Sequence, residues 1–230
     1  MSEIFGPTVQ GEGPSLGRRC AFARLGGCNL SCRWCDTPYT WDWTGQANSG
    51  IAYDPRKELR TIPYTEVRDQ LAAFDVPLVV VSGGEPLNQQ GRLYPLVRDL
   101  RDSGHDVEIE TNGTIAPDPR IAKLVRFNVS PKLAHSGDPK SRRIVGNALS
   151  AFAALPGSAF KFVCRSEADL DEVAALVHEY GLDSVWIMPE GQNQTALDQS
   201  LARLRDAAIS RGWNLTTRLH IIMWGDRRGV

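Results

Sequence analysis

Three of the five cysteines in this 230-residue chain stand close together, at Cys28, Cys32 and Cys35. Their spacing, C-x3-C-x2-C, offers three thiolates to one site. A structural zinc site normally needs four protein ligands, and the sequence has no second C-x-x-C pair and no histidine near these cysteines. A [4Fe-4S] cluster held by three cysteines leaves one iron open for an added ligand, so the spacing favours an iron-sulfur cluster over zinc.

The other two cysteines, Cys20 and Cys164, stand in apolar runs typical of strands, and we expect both to be small buried hydrophobic residues. An odd number of cysteines fits poorly with a set of disulfides, so we expect reduced thiols and a cytoplasmic location. The N-terminus has no signal-peptide pattern, and no apolar run reaches the roughly 18 residues of a membrane span.

The composition limits the class of partner. With 26 basic and 27 acidic residues the formal net charge is -1, so there is no charge excess to bind nucleic acid or a membrane surface. The length predicts a single domain, residues 1–230, and a small-molecule partner. An irregular stretch rich in Gly, Pro and Trp, residues 38–63, predicts a long loop or small insertion. A second loop, residues 134–146, carries three basic side chains and is predicted to be solvated.

Short β-branched runs alternate along the chain with segments of helical periodicity. This alternation predicts an α/β fold, an incomplete (β/α) barrel of about six parallel strands, because a closed eightfold barrel usually takes about 250 residues. The pairs Ser166–Asp169 and Thr195–Asp198 are typical of helix starts, and Gly181 of a helix end. The candidate strands are residues 20–25, 77–82, 106–111, 124–130, 159–164, 184–189 and 215–222, and the candidate helices lie around residues 67–74, 93–100, 170–180 and 197–208.

Polar, glycine-rich segments follow most of these strands. The strands lead into S-G-G-E-P, E-T-N-G-T, S-P-K and M-P-E-G, and the three cysteines follow the first strand of the list. Each segment alone is also typical of an ordinary turn. In parallel α/β folds the ligand lies at the carboxyl ends of the strands, so together the segments predict one ligand-binding rim.

The cysteine spacing, the aromatic residue before the last cysteine and the downstream G-G-E-P together resemble the radical S-adenosylmethionine (SAM) superfamily. The resemblance implies a [4Fe-4S] cluster on the three cysteines whose open iron binds SAM. It also implies an external one-electron reductant, whose electron cleaves SAM to a 5'-deoxyadenosyl radical. The SAM contacts implied are Trp34, Cys35, Asp36, Gly83, Gly84, Glu85, Ser130, Pro131, Lys132, Met188, Pro189, Glu190 and Gly191.

The remaining motifs resemble the 7-carboxy-7-deazaguanine synthase family within that superfamily. They are F-G-P-T-V-Q-G-E-G-P-S-L-G, A-F-A-R-L-G-G-C-N-L, C-D-T after the third cysteine, E-T-N-G-T, S-P-K and the final R-L-H-I-I-M-W-G-D-R-R-G-V. The resemblance covers about residue 3 to residue 230. It implies a homodimer that converts 6-carboxy-5,6,7,8-tetrahydropterin to 7-carboxy-7-deazaguanine with loss of ammonia, on the route to queuosine and other 7-deazapurines.

The same resemblance implies a magnesium ligand and a substrate site. Thr37 matches the position whose hydroxyl binds Mg2+, although alone it is typical of a turn. Arg24 is the candidate for the substrate carboxylate, because a guanidinium binds two carboxylate oxygens, and a plain salt bridge is its alternative. The pterin edge is expected to pair with Val9, Gln10, Gly11 and Glu12, with Ser82 and His220 close by.

Two other functions stay open on the sequence alone. A small activase that makes a glycyl radical on a partner protein would share the cluster, but it has no use for Q-G-E-G and Arg24 as a pterin site. A non-catalytic domain would hold zinc on the three thiols and a histidine.

Overall fold

A computed structural model describes residues 1–230. Its strands are β1 Glu3–Val9, β2 Arg19–Leu25, β3 Leu78–Gly83, β4 Asp106–Thr111, β5 Arg126–Val129, β6 Ala159–Cys164, β7 Val185–Pro189 and β8 Asn214–Leu215. All eight form one sheet in sequence order, in which β1 and β2 are antiparallel and every later pair is parallel. Since β1 and β8 are its free edges, the barrel is open, and the predicted incomplete barrel is confirmed.

Helices connect the parallel strands. They are α1 Pro55–Glu58, α2 Tyr64–Ala72, α3 Gln90–Asp102, α4 Pro119–Ala122, α5 Lys140–Arg143, α6 Gly146–Ala153, α7 Glu167–Tyr180, α8 Gln194–Ser210 and α9 Leu219–Trp224, with 3-10 turns at Gly13–Ser15, Pro38–Thr40, Pro86–Gln89 and Ala134–Ser136. The four helices predicted from periodicity are α2, α3, α7 and α8, and all are confirmed. None of the helices combines the length and the apolar character that crossing a membrane requires.

The helix ends were predicted with mixed success. Ser166 and Asp169 form both hydrogen bonds of a capping box at the start of α7, and Gly181 ends that helix with a left-handed φ of 63°. The predicted cap at Thr195 is wrong, because the side chain of Asn193 accepts the N–H three residues later and α8 begins at residue 194. Asparagine ranks above threonine as an N-cap, so capping propensity agrees with the position that the structure shows.

Both ends of the chain differ from expectation. The predicted last strand, residues 215–222, is wrong over most of its length, because β8 ends at Leu215 and His220 lies in α9. A short apolar run cannot be assigned to strand or helix by periodicity alone.

The strand β1 was not predicted, since the Gly6-Pro7 pair weakens its strand signal. That pair lies where the register between β1 and β2 shifts, on an edge strand, which is where a sheet accepts proline.

The two faces of the sheet have different environments. One face packs against the helices through the main apolar core, which includes Val79, Val81, Phe160, Phe162 and Cys164. The inner face carries a small apolar cluster of Cys20, Phe22, Leu78 and Val80. Both Cys20 and Cys164 are fully buried, as expected. Toward the carboxyl ends of the strands the inner face becomes polar, with Arg24, Ser82 and Glu110 lining a cavity.

Candidate active site

One large cavity of about 970 Å³ lies at the carboxyl ends of the strands. It brings together most of the residues expected in a site: Val9, Gln10, Gly11, Glu12, Arg24, Cys28, Cys32, Trp34, Cys35, Asp36, Thr37, Ser82, Gly83, Gly84, Ser130, Lys132, Met188, Glu190, Gly191 and His220. The cavity lining does not include Glu85, Pro131 or Pro189. The last five residues of the chain, 226–230, also line it.

Cys28, Cys32 and Cys35 are free thiols in the wall of this cavity. Burial raises the pKa of Cys28 to about 12 and also raises the pKa of the other two, so thiolates there need a cation to stabilise them. Nowhere are three or more His, Cys, Asp or Glu side chains grouped to hold a metal ion. In an iron-sulfur cluster each cysteine binds a different iron, so the three thiols need not converge on one point, and the donor set fits a cluster better than zinc.

The loop that carries the cysteines is tied to neighbouring segments. The carboxylate of Asp138 accepts the backbone N–H of Ser31 at 3.0 Å, and Arg142 donates to the carbonyl of Asn29 at 2.6 Å. The prediction that residues 134–146 form a solvated loop is wrong for Arg143, which is buried. Its guanidinium pairs with Glu172 at 2.7 Å and donates to the carbonyl of Lys132, in the S-P-K segment, at 2.8 Å. These basic side chains hold the cavity wall in place.

The G-G-E-P segment joins three strand ends. A Cβ at Gly84 would collide with the backbone of Gly27, so only glycine lets these loops approach so closely. The Glu85 carboxylate is fully buried and accepts the N–H of Asn112 at 2.7 Å and the hydroxyl of Thr111 at 2.9 Å. The Glu85 side chain therefore links the ends of β3 and β4, and the glycine backbone remains as the part of this segment that faces the cavity.

An aromatic wall lies beside the cysteines. The Trp34 ring stacks on His135 at 5.4 Å between centroids, and the Lys132 ammonium lies 5.5 Å from the Trp34 centroid. Lys132 also donates to the hydroxyl of Ser130 at 3.0 Å. Nε1 of Trp34 is buried with no hydrogen-bond partner, whereas Nδ1 of His135 and Oε2 of Glu190 lie 3.7 Å from each other. Buried polar groups are normally paired, so this wall suits a polar, planar ligand.

A buried network of charged side chains also lines the cavity. The Glu12 carboxylate pairs with the Lys161 ammonium and accepts Nε of Arg218 at 3.1 Å. The Arg218 guanidinium also pairs with Asp36 and donates to the carbonyl of Gly191 at 2.9 Å. Burial alone would raise the pKa of Glu12, but the charges of Lys161 and Arg218 lower it below its ordinary value. Glu12 is therefore an ionised group that can only accept hydrogen bonds.

A second polar group stands on the inner face of β4. Gln10 donates to Glu108 at 3.0 Å and to Glu110 at 3.2 Å, and its own oxygen accepts the N–H of Glu12. Ser82 donates to the other oxygen of Glu110 at 2.8 Å. The side chain of Gln10 is thus satisfied within the protein, and Glu110 is the acceptor that these contacts hold in the cavity wall.

Arg24 and His220 complete the wall. The salt bridge weighed as the alternative for Arg24 is present, from Nε to Glu3 at 2.9 Å, and the guanidinium lies 5.5 Å from the Phe5 ring centroid. The terminal nitrogens of Arg24 make no hydrogen bond within the protein, so an anionic ligand can use them. Burial lowers the pKa of His220, which makes its imidazole neutral at pH 7.

Three residues of the wall were missed in the sequence: Glu110, Lys161 and Arg218. Glu110 had a signal, since the alternation in D-V-E-I-E-T puts two carboxylates on one face of a strand. Lys161 also had one, as a lysine between two phenylalanines of a buried strand. Arg218 also had one, as the first residue of the motif R-L-H-I-I-M-W-G-D-R-R-G-V, but the strand predicted over residues 215–222 gives it no place in the site.

The chain resembles known proteins over nearly its whole length. Residues 24–136 match the model of the Radical SAM superfamily. The chain is 39% identical to the 7-carboxy-7-deazaguanine synthase of Pyrobaculum aerophilum, over 99% of this chain and 95% of that protein. It is 34% identical to the 7-carboxy-7-deazaguanine synthase of Rhodopirellula baltica, over 100% of this chain and 88% of that protein.

Solved structures agree with this. The crystal structure of QueE from Escherichia coli superposes with a TM-score of 0.70 at 26% identity, covering 95% of this chain and 93% of that chain. Streptococcus suis SuiB bound to the precursor peptide SuiA has a TM-score of 0.58 at 14% identity, covering 85% of this chain and 47% of that chain. The second likeness is one of fold alone.

Proposed function

Since the chain belongs to the 7-carboxy-7-deazaguanine synthase family of radical SAM enzymes, we propose how the residues of its cavity serve that family's reaction. The substrate proposed is 6-carboxy-5,6,7,8-tetrahydropterin, which contracts to 7-carboxy-7-deazaguanine with loss of ammonia. The observation that carries the proposal is that three free thiols and the polar wall around Glu110 and Arg24 share one cavity. Family membership removes the two alternatives, the glycyl-radical activase and the zinc domain.

The cysteine side of the cavity is assigned to the cofactors. Cys28, Cys32 and Cys35 would hold the [4Fe-4S] cluster, and the residues of the aromatic wall beside them would contact SAM. The unpartnered indole N–H of Trp34, the nearby Glu190 and the backbone at Gly83, Gly84, Ser130, Lys132, Met188 and Gly191 are suited to its adenosyl and methionine parts. When bound, the cluster and SAM supply the radical chemistry that starts the reaction.

The polar wall around Glu110 and Arg24 is assigned to the pterin. Its pyrimidine edge presents N–H donors, for which Glu110 is the acceptor, oriented by Gln10 and Ser82. Arg24 pairs with the substrate carboxylate through its free nitrogens. His220, neutral at pH 7, lies on the same side of the site, beside Gly11, and contributes a polar contact without adding charge.

Thr37 is assigned to magnesium. It is buried in the cavity wall directly after Asp36, and its hydroxyl lies 3.7 Å from the Cys35 sulfur. A hydroxyl oxygen, substrate oxygens and water would form a ligand set that a hard octahedral ion accepts. The ion would therefore bind where the substrate and the cysteine loop meet.

The C-terminal tail helps to exclude water. The Arg228 guanidinium lies 3.8 Å from the Tyr39 ring centroid, pairs with Glu3 and pairs with Glu58 at 2.7 Å. These contacts fold the tail back over the cavity, where it lowers the access of solvent to a reactive radical.

We also assign the active protein to the cytoplasm, as a homodimer served by an external one-electron reductant.

Anaerobic turnover tests this function. The protein is reconstituted with iron and sulfide and supplied with SAM, a reductant and 6-carboxytetrahydropterin, with and without Mg2+. We expect 7-carboxy-7-deazaguanine and ammonia in equal amounts, formed faster with Mg2+. Cluster-loaded protein that cleaves SAM but leaves the pterin unchanged would show that the substrate is wrong.

A further inference from the structure

The indole of Trp41 donates a hydrogen bond to the sulfur of Cys35. The distance from Nε1 of Trp41 to Sγ of Cys35 is 3.3 Å, a normal length for a bond to sulfur. Of the other two cysteines of the motif, the sulfur of Cys32 accepts no hydrogen bond and Cys28 has weaker partners. Cys28 accepts the backbone N–H of Leu30 at 3.4 Å, and the amide of Asn112 lies 4.0 Å away. Cys35 is thus the cysteine with a short side-chain donor.

The position of Trp41 is fixed from both sides. Its backbone N–H bonds to the carbonyl of Pro38 at 3.0 Å, at the end of a 3-10 turn. The next residue, Asp42, is buried, and its carboxylate accepts the backbone N–H groups of residues 44–47 at 2.7 to 3.3 Å. Further on, the N–H of Asn48 bonds to the carbonyl of Arg33 at 2.6 Å. The start of the 38–63 loop is therefore anchored against the cysteine loop.

We propose that Trp41 is a positioning residue that raises the reduction potential of the cluster through its hydrogen bond to Cys35. The inference rests on the proposed function in one respect, that Cys35 binds the cluster. A thiolate that ligates iron carries more negative charge after the cluster gains an electron, so an N–H aimed at that sulfur stabilises the reduced state more than the oxidised one. The long irregular loop thereby makes the cluster easier to reduce.

The test compares Trp41→Phe with Trp43→Phe. Both changes remove an indole N–H from the same loop and keep an aromatic ring, but Trp43 makes no hydrogen bond to a cysteine. Each protein is reconstituted, its iron is measured, and the cluster is titrated anaerobically with dithionite and redox mediators while the reduced signal is followed by electron paramagnetic resonance. For Trp41→Phe we expect the equilibrium constant for one-electron reduction to fall about tenfold, which is about 59 mV more negative. For Trp43→Phe we expect the wild-type potential.

Iron content separates this inference from the proposed function. If no protein holds about four irons per chain, the cluster assignment itself fails. If all three hold the cluster and Trp41→Phe keeps the wild-type potential, or if Trp43→Phe shifts it equally, the role of Trp41 is wrong. Should Trp41→Phe fail to fold, wild-type protein labelled with 15N in its tryptophan indoles decides. The reduced cluster must then show hyperfine coupling to an indole nitrogen that persists in Trp34→Phe, and a coupling that is absent or is lost with Trp34 overturns the inference.

Discussion

Arg218 forms an ion pair with Asp36, which joins helix α9 to the residue that follows the third cysteine. The Arg218 side chain is only 8% exposed, and its other nitrogens bind Glu12 and the carbonyl of Gly191. One guanidinium therefore links the segment assigned to the substrate, the segment assigned to SAM and the cysteine loop. A change at this residue should act on all three.

Arg218→Lys tests this link. Lysine keeps the charge but cannot reproduce the planar fork that reaches several acceptors, so the carboxylates of Glu12 and Asp36 would share an incomplete partner. We expect a loss of stability of about 1 to 3 kcal/mol, because lysine leaves at least one of the buried acceptors of Arg218 without its donor. Urea unfolding of the cluster-free protein measures this. Arg205→Lys, on an exposed face of α8, is the control and should change little. Equal effects would contradict the special role of Arg218.

Lys161→Met should change how stability depends on pH. The native pKa of Glu12 lies below its ordinary value of 4.5, so its contribution to stability is fully present above pH 4.5 and is lost as the pH falls through the native pKa. Removing the Lys161 charge raises that native pKa, so acid unfolding should begin at a higher pH than in the wild type. Circular dichroism during acid titration measures the midpoint. Lys123→Met, at an exposed lysine, should leave it unchanged.

The parallel strands could be predicted because a strand buried on both faces appears as a short β-branched run. The run at residues 77–82 corresponds to β3 at Leu78–Gly83 within one residue. The cavity followed from the same pattern, since all parallel strands end at one rim. The cysteine positions needed no fold at all, because their spacing is local.

The charged network could not be predicted in the same way. Glu12 lies 149 residues from Lys161 and 206 residues from Arg218, so only the folded arrangement of the strands brings these charges together. The helix α9 was missed because six residues of mixed apolar character fit either a strand or a helix. In the structure the segment makes a long-range contact that local sequence does not reveal, the bond from the N–H of Leu219 to the carbonyl of Gly11 at 2.8 Å.

Substitution of the cysteines should divide them into two groups. Cys28→Ala, Cys32→Ala and Cys35→Ala each remove a proposed iron ligand, so we expect loss of turnover and a large loss of bound iron and sulfide. Cys20→Ala and Cys164→Ala, at fully buried positions in the apolar clusters, should keep cluster content and turnover. Iron and sulfide analysis after anaerobic reconstitution checks both groups. Loss of the cluster from either of the last two variants would refute the ligand assignment.

Thr37→Ala should weaken the response of turnover to Mg2+. The change removes the one protein oxygen proposed as a ligand, and the substrate and water alone should bind the ion less tightly, so half-maximal stimulation should need about tenfold more Mg2+. Thr37→Ser keeps the hydroxyl and is the matched control, expected to respond as the wild type does. Because the Thr37 hydroxyl is only 3.7 Å from the Cys35 sulfur, iron content must be measured in parallel. An unchanged Mg2+ requirement in Thr37→Ala, with the cluster intact, would show that Thr37 does not bind the ion.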